Sequence, residues 1–296
     1  MFIDAHQHTT RVKGIPRNVK GDRYALPEEI IAEMDRTGVD KGILQPIINP
    51  ECHGQISTTE DILEICQKHP DRFIPFCNID PRAGDNRPDY DLSWMIGYYK
   101  ERGCKGMGEV CASLSLEDPF VLNFFRHCEA MQMPCTIHMA TRHYGYYGLL
   151  DDPQLPRLER VLKQFPRLII VGHSPVFWAH VSAEVDFSTG DWWYPWDRKV
   201  VPGGAIPRLM DTCPNLYADI SANSGLCAIK RDPAFGFAFM EKYQDRLLFG
   251  TDICSPEHRF THADYLRQCL KAGNLSRQAF EKITWQNANR LYNLGL

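Results

Sequence analysis

The chain reads as a closed parallel barrel of eight strand–helix units, the (β/α)8 or TIM barrel, with residues 1–296 forming a single domain. Three observations predict it. Apolar, β-rich runs alternate with longer helical patterns along the whole chain. Eight such pairs fit in ~300 residues, a length that suits a barrel of this kind. No GxGxxG follows the first strand, which argues against a doubly wound open sheet, the structural alternative.

In order, the strand candidates are FIDA (2–5), GILQPII (42–48), RFIPFCNI (72–79), CKGMGEV (104–110), PCTIHM (134–139), RLIIVG (167–172), NLYADIS (215–221) and RLLFG (246–250). The first helix runs from Pro27 to Arg36, with proline at its start. The second, to Lys68, has Thr58 as its cap and Asp61 three residues on as the acidic partner. Further helical patterns cover 89–102, 118–132, 155–164, 204–212, 232–243 and 260–271, and one at 276–293 closes the chain. Strand–helix alternation implies right-handed βαβ units and a parallel sheet. Two connections are longer than usual. They run from Ala140 to Pro153 and from Ser174 to Gly203, after strands 5 and 6. Both leave the C-terminal ends of strands, the face on which such a barrel carries its active site.

Composition removes several classes of function. The net charge is −4, which gives no footprint for nucleic acid or an anionic membrane surface. No apolar run approaches the ~20 residues of a membrane span. MFIDAHQH at the N-terminus has neither the basic region nor the apolar stretch of a signal peptide. The 11 cysteines are scattered, odd in number and without a CxxC pair, so they read as buried thiols in a reducing cytoplasm. A cytoplasmic location is the expectation.

The strand ends carry the chemistry. The first strand runs into Asp4-Ala5-His6-Gln7-His8. His6 and His8 are two apart, so on an extended chain both imidazoles point to one face. Glu109, His138, His173 and Asp252 end four further strands. A closed parallel barrel brings these ends to one mouth. Imidazole and carboxylate donors suit zinc and related divalent ions, and a carboxylate can bridge two of them. A lone strand-end histidine is usually a packing residue. Six metal-competent side chains at one topological position point instead to a metal site.

The set FIDAHQH, GEV, TIHM, VGHS and FGTD resembles the amidohydrolase superfamily of metal-dependent hydrolases. More narrowly it is similar to the amidohydrolase-related branch that includes lactonases and aminocarboxymuconate-semialdehyde-type decarboxylases. NANRLYNL, after WQ, is similar to the closing helix of that branch, so the likeness runs from His6 to Leu294. The resemblance implies that His6 and His8 hold a first metal with Asp252. It implies that His138 and His173 face a second, or that they ligate the first and orient substrate respectively. Glu109 would bridge two ions. Many two-metal members carry a carboxylated lysine at that position, and decarboxylase-like members use one metal and need no bridge. The cofactor expected is a divalent metal, zinc first among candidates, with one or two ions per chain.

Such an ion lowers the pKa of a bound water toward ~7 and makes a nucleophile available at neutral pH. Asp252 would accept its proton and pass it to the leaving group, while His173 or the metal polarises the carbonyl. This serves hydrolysis of an ester, lactone or amide of a small cyclic or carboxylated substrate. The alternative is a metal-dependent decarboxylase on the same barrel, and a third reading is a barrel kept only for binding. No GxSxG elbow is present. Cys111, two residues past Glu109, is the one thiol near the mouth. Arg142 could pair with a substrate carboxylate, and His143, Tyr144 and Trp178 could line the substrate pocket. The loop aromatics serve equally well as an interface between copies of the chain.

Overall fold

The computed structural model describes residues 1–52, 54–141, 145–188 and 193–296 of the chain. Among the described residues the strands are β1 (Ile3–Gln7), β2 (Lys41–Leu44), β3 (Phe73–Pro75), β4 (Met107–Val110), β5 (Cys135–Ala140), β6 (Leu149–Leu150), β7 (Ile170–His173), β8 (Leu216–Asp219) and β9 (Leu247–Leu248). All strand pairs are parallel, in the orders β1-β2-β3 and β4-β5-β7-β8-β9, with β6 off this path beside β5. Bridges between Cys77 and Met107 and between Gln7 and Ile253 join the two runs into a ring. The ring is a TIM barrel, as expected. β6 is an addition, made by the first long connection folding back beside β5.

Alternation along the strands sorts the core into two layers. Ile3, Ala5, Ile43, Phe76, Val171 and Leu248 pack together with Ala288 and Tyr292 of the closing helical segment. Leu44, Met107, Ile137, Ile170, Leu216 and Phe249, from the other parity, pack against the helices.

Most helices follow their sequence signals. Pro27 starts the helix that ends at Thr37. Thr58 and Asp61 form the expected reciprocal cap on Thr59–Lys68, with Asp61 N–H 3.2 Å from Thr58 Oγ1. Three details differ from the sequence reading. The closing helix is interrupted by a π turn over Lys282–Gln286. A short helix, Pro175–Ala179, follows β7. A longer one, Ala222–Lys230, follows β8. Its first turn holds Asn223, Ser224 and Gly225, all poor helix formers, with Gly costing ~1 kcal/mol against Ala. Burial of Leu226 and Ile229, at ~1.5–3 kcal/mol each, outweighs that deficit. Among the described residues no helix is long and apolar enough to cross a membrane.

Two strands carry one extra residue relative to their partners. On β1, Asp4 faces Gly42 but Gln7 faces Leu44, so three steps match two. On β4, Met107 faces Cys135 and Val110 faces Ile137, again three steps against two. Such bulges re-aim side chains. The first lies at His6 and the second at Glu109.

Candidate metal centre

Each histidine of the centre is oriented from behind. His6 Nδ1 lies 2.8 Å from Asp219 Oδ2, and His173 Nδ1 lies 2.8 Å from Asp219 Oδ1. His8 Nδ1 lies 3.0 Å from the carbonyl oxygen of Gln45. A carbonyl or carboxylate only accepts, so Nδ1 of each ring carries the proton and Nε2 presents a lone pair. Partners of this kind are what fix metal-ligating histidines in place.

The three Nε2 atoms meet two carboxylates. His6 and His8 bring theirs to 3.0 Å from one another. Glu109 Oε2 is 3.7 Å from His6 Nε2 and 3.4 Å from His8 Nε2. Asp252 Oδ1 is 3.8 Å and 3.4 Å from the same two atoms. Donors about 2.1 Å from a common ion stand about 3.0 Å apart at right angles and about 3.4 Å apart at tetrahedral angles. The spacings at His8, 3.0 and 3.4 Å, match these values, and those from His6 to the two carboxylates, 3.7 and 3.8 Å, are wider. On the far side, His173 Nε2 is 3.7 Å from Glu109 Oε1 and 3.9 Å from Asp252 Oδ2. Among the described residues the metal-competent groups are His6–His8–Asp252 and His6–Glu109–His173.

The donor set fits a divalent cation on two further grounds. Two lone pairs facing at 3.0 Å repel unless positive charge lies near them. Glu109 Oε1 is buried and has no hydrogen-bond partner among the described residues, a costly state that a cation relieves. The field has the same sense. Burial opposes charge on His6, but Asp219 and Glu109 outweigh it and raise its pKa. Burial also opposes ionisation of Asp219 and Glu109, yet the facing histidines hold both carboxyls below their usual range. Asp252 is lowered too, against burial, chiefly by the hydrogen bond with His8. Its side chain is 26% exposed, the most open of the group, and its backbone adopts the left-handed φ of 59°.

His138 stands outside both groups. Burial pushes its pKa down to about 4, which leaves the ring neutral at pH 7, and Nδ1 has no hydrogen-bond partner among the described residues. Its ring faces Tyr147 at 4.3 Å and His173 at 5.5 Å. Above it lies a cavity of 140 Å³ lined by Tyr146, Tyr147, Val176, Trp193 and Tyr194 together with His138, His173 and Asp252. A larger cavity of 550 Å³ contains none of the metal-competent residues.

Of the substrate-pocket candidates, Arg142, His143 and Tyr144 lie outside the described residues. Trp178 does not line the pocket over the histidines. It is buried, and its indole N–H donates to the carbonyl oxygen of Asp219 at 3.0 Å. It supports the strand behind the centre, because the short helix after β7 turns it inward. Cys111 is buried, and burial raises its thiol pKa, as suits an inert residue. Asp219 is the functional residue that sequence reasoning missed. Its signal was present, since it ends an apolar strand like the other acidic candidates.

A family model described as amidohydrolase matches residues 3–294. The chain belongs to the amidohydrolase family. Solved structures similar to this amidohydrolase share its fold over nearly the full length. One is an amidohydrolase from Burkholderia multivorans with bound zinc, at 15% identity and a TM-score of 0.64, covering 99% of each chain. Another is a 5-carboxyvanillate decarboxylase from Novosphingobium aromaticivorans with bound manganese, at 16% identity and a TM-score of 0.63, covering 99% of this chain and 97% of that one. A third is a probable 2-pyrone-4,6-dicarboxylic acid hydrolase from Acinetobacter baumannii with citric acid bound, at 15% identity and a TM-score of 0.58, covering 99% of each chain. A search of the curated proteins finds no match. The family is one of enzymes, and the donor set of this member suits a divalent metal. Its similar structures include both hydrolases and decarboxylases.

Proposed function

We propose that this amidohydrolase is a metal-dependent hydrolase of an ester, lactone or amide bond in a small, cyclic, carboxylated molecule. The observation that carries this reading is the placement of Glu109. Its Oε2 faces His6 and His8 while Oε1 faces His173, so one carboxylate lies between the His6–His8 pair and His173. That arrangement suits a bridge between two ions, with zinc favoured by the histidine and carboxylate donors.

A bound ion supplies Lewis acidity and an acidified water. The residues supply the rest. Asp252, the most open carboxylate, takes the proton of the attacking water and returns it to the leaving group. Asp219 holds His6 and His173 so that their Nε2 atoms stay aimed inward. Neutral His138 and the aromatic walls of the 140 Å³ cavity hold a ring-sized substrate over the centre.

His6 belongs to both donor groups, and one Nε2 serves one ion, which favours a second reading, a one-ion decarboxylase. One experiment separates them. Metal-loaded protein is assayed against lactones and esters, 2-pyrone-4,6-dicarboxylate among them, with acid release followed by pH-stat. The same preparation is assayed against 2,6-dihydroxybenzoate and 5-carboxyvanillate, with carbon dioxide trapped. Acid release with two ions per chain supports hydrolysis. Carbon dioxide release with one ion supports the second reading. Turnover that survives complete metal removal sinks both.

A further inference from the structure

We propose that the 550 Å³ cavity away from the metal centre is a second binding site, which takes a small organic oxyanion on Arg231. The site does not depend on the reaction proposed above.

Arg231 is placed by a corner between two helices. It follows Ala222–Lys230 directly, and its N–H donates to the carbonyl oxygen of Cys227 at 3.0 Å. Asp232 then caps the next helix, Pro233–Lys242. A cation suits a helix C-terminus, where carbonyl ends gather negative charge, but a solvated side chain meets that preference. Arg231 is instead half-buried, and its Nε is buried with no hydrogen-bond partner among the described residues. A buried donor left in that state is costly. The adjacent carboxylate is engaged elsewhere. Asp232 Oδ1 accepts from Phe235 N–H at 3.4 Å, and Oδ2 accepts from Val200 N–H at 3.2 Å. Burial opposes the charge on Arg231, and Arg198 adds like charge from the same cavity. An oxyanion relieves both.

The cavity has the size and the walls of a ligand site. Its 550 Å³ falls within the ~300–1,000 Å³ of small-molecule pockets. Ala179, Ala183, Val185, Pro195 and Val201 supply apolar wall for the body of a ligand. The other lining charges are exposed and of both signs, Arg198 and Lys199 against Glu184 and Asp186. Water screens those. Arg231 is the lining charge withdrawn from solvent. A guanidinium takes an oxyanion through two parallel N–H donors, and a side-on approach uses Nε as one of them.

The site backs onto the substrate cavity. Ala179, Pro195 and Arg231 line both the large cavity and a narrow space of 10 Å³. Pro175 and Trp193 line both that space and the 140 Å³ cavity over His138. Residues of the 193–201 segment wall all three. A ligand on Arg231 therefore rests against the far side of the wall that encloses the histidines, where it can steady that segment.

Hydrogen–deuterium exchange read by mass spectrometry on full-length, zinc-loaded protein tests this. The probes are phenyl phosphate, phenylacetate and the neutral 2-phenylethanol. Either anion should slow exchange in residues 182–186 and 193–201, and the alcohol should not. The anion with the larger effect tells phosphate from carboxylate as the group recognised. Arg231→Gln should weaken the affinity read from this slowing about tenfold to a hundredfold, with metal content unchanged. Arg231→Lys keeps the charge without the fork and should lose less. No slowing of 182–186 in wild type by either anion would overturn the site, as would equal slowing by the alcohol. Undiminished affinity in whichever variant folds would overturn the role of Arg231.

Discussion

His6 is tied to Asp219 by a 2.8 Å hydrogen bond from Nδ1 to Oδ2, and the other oxygen of Asp219 takes His173 at the same distance. One buried carboxylate therefore sets the proton position of two rings that sit on different strands. Ser221 Oγ donates to the same Oδ1 at 2.5 Å, which fixes the carboxylate in turn.

Asp219→Asn should weaken metal binding about 10–100-fold, the usual cost of losing a partner behind a ligand. An amide can accept from one ring only, and its NH₂ opposes the Nδ1 proton of the other. Zinc affinity by competition with a chromophoric chelator measures it, with circular dichroism as the control for folding. Wild-type affinity in a folded variant would assign Asp219 to packing alone.

Glu109→Gln should lower metal stoichiometry from two ions per chain to one and reduce hydrolysis with it. The first group keeps His6, His8 and Asp252, whereas the second loses its only carboxylate bridge. Elemental analysis of both proteins decides this. A wild type that carries one ion, with a variant equal to it in content and rate, would make the decarboxylase reading the stronger one.

Replacing Asp252 with asparagine should leave the fold intact and reduce turnover by at least about a hundredfold, the scale of a lost general base. The amide can still reach a cation but cannot take a proton. Rate and near-ultraviolet circular dichroism are measured on one sample. Turnover near the wild-type rate would remove Asp252 from proton transfer.

His180 gives a pH prediction away from the metal centre. Burial lowers its pKa from 6.5 to about 4, and Nδ1 donates to the carbonyl oxygen of Val176 at 2.7 Å. A folded-state pKa below the unfolded value means that the unfolded chain binds the proton first. Stability from this site is then full above pH 6.5 and is lost as pH falls toward 4, by about 3 kcal/mol in all. Urea melts at pH 7 and pH 4 should show a smaller loss for His180→Gln than for wild type. Parallel losses would dismiss the effect.

The barrel was legible because its strands are short apolar runs separated by capped helices, and Thr58 with Asp61 or Pro27 announce themselves locally. The convergence of His6, His8, Glu109, His173 and Asp252 followed from parallel topology alone. What was not legible depends on register. The bulges at His6 and Glu109 exist only as a mismatch between paired strands. Asp219 reads like any strand-end acid until two histidines are seen to share it. Ala222–Lys230 escaped notice because its helix is held by burial against intrinsic preference. His138 was expected among the ligands, and only the spatial arrangement of the mouth sets it apart.

The ring of strands closes through its first and last members. Asp4 accepts from Thr251 N–H at 2.9 Å and from Thr251 Oγ1 at 2.5 Å, and His8 N–H donates to the carbonyl oxygen of Ile253 at 2.8 Å. His6 and His8 leave the ribosome long before Asp252, which follows the last strand of the ring. A nascent chain therefore cannot gather the His6–His8–Asp252 group until its closing segment emerges. Capture of an ion by this group becomes a late event in the life of the chain, and a product terminated before the FGTD segment would lack the carboxylate that completes it.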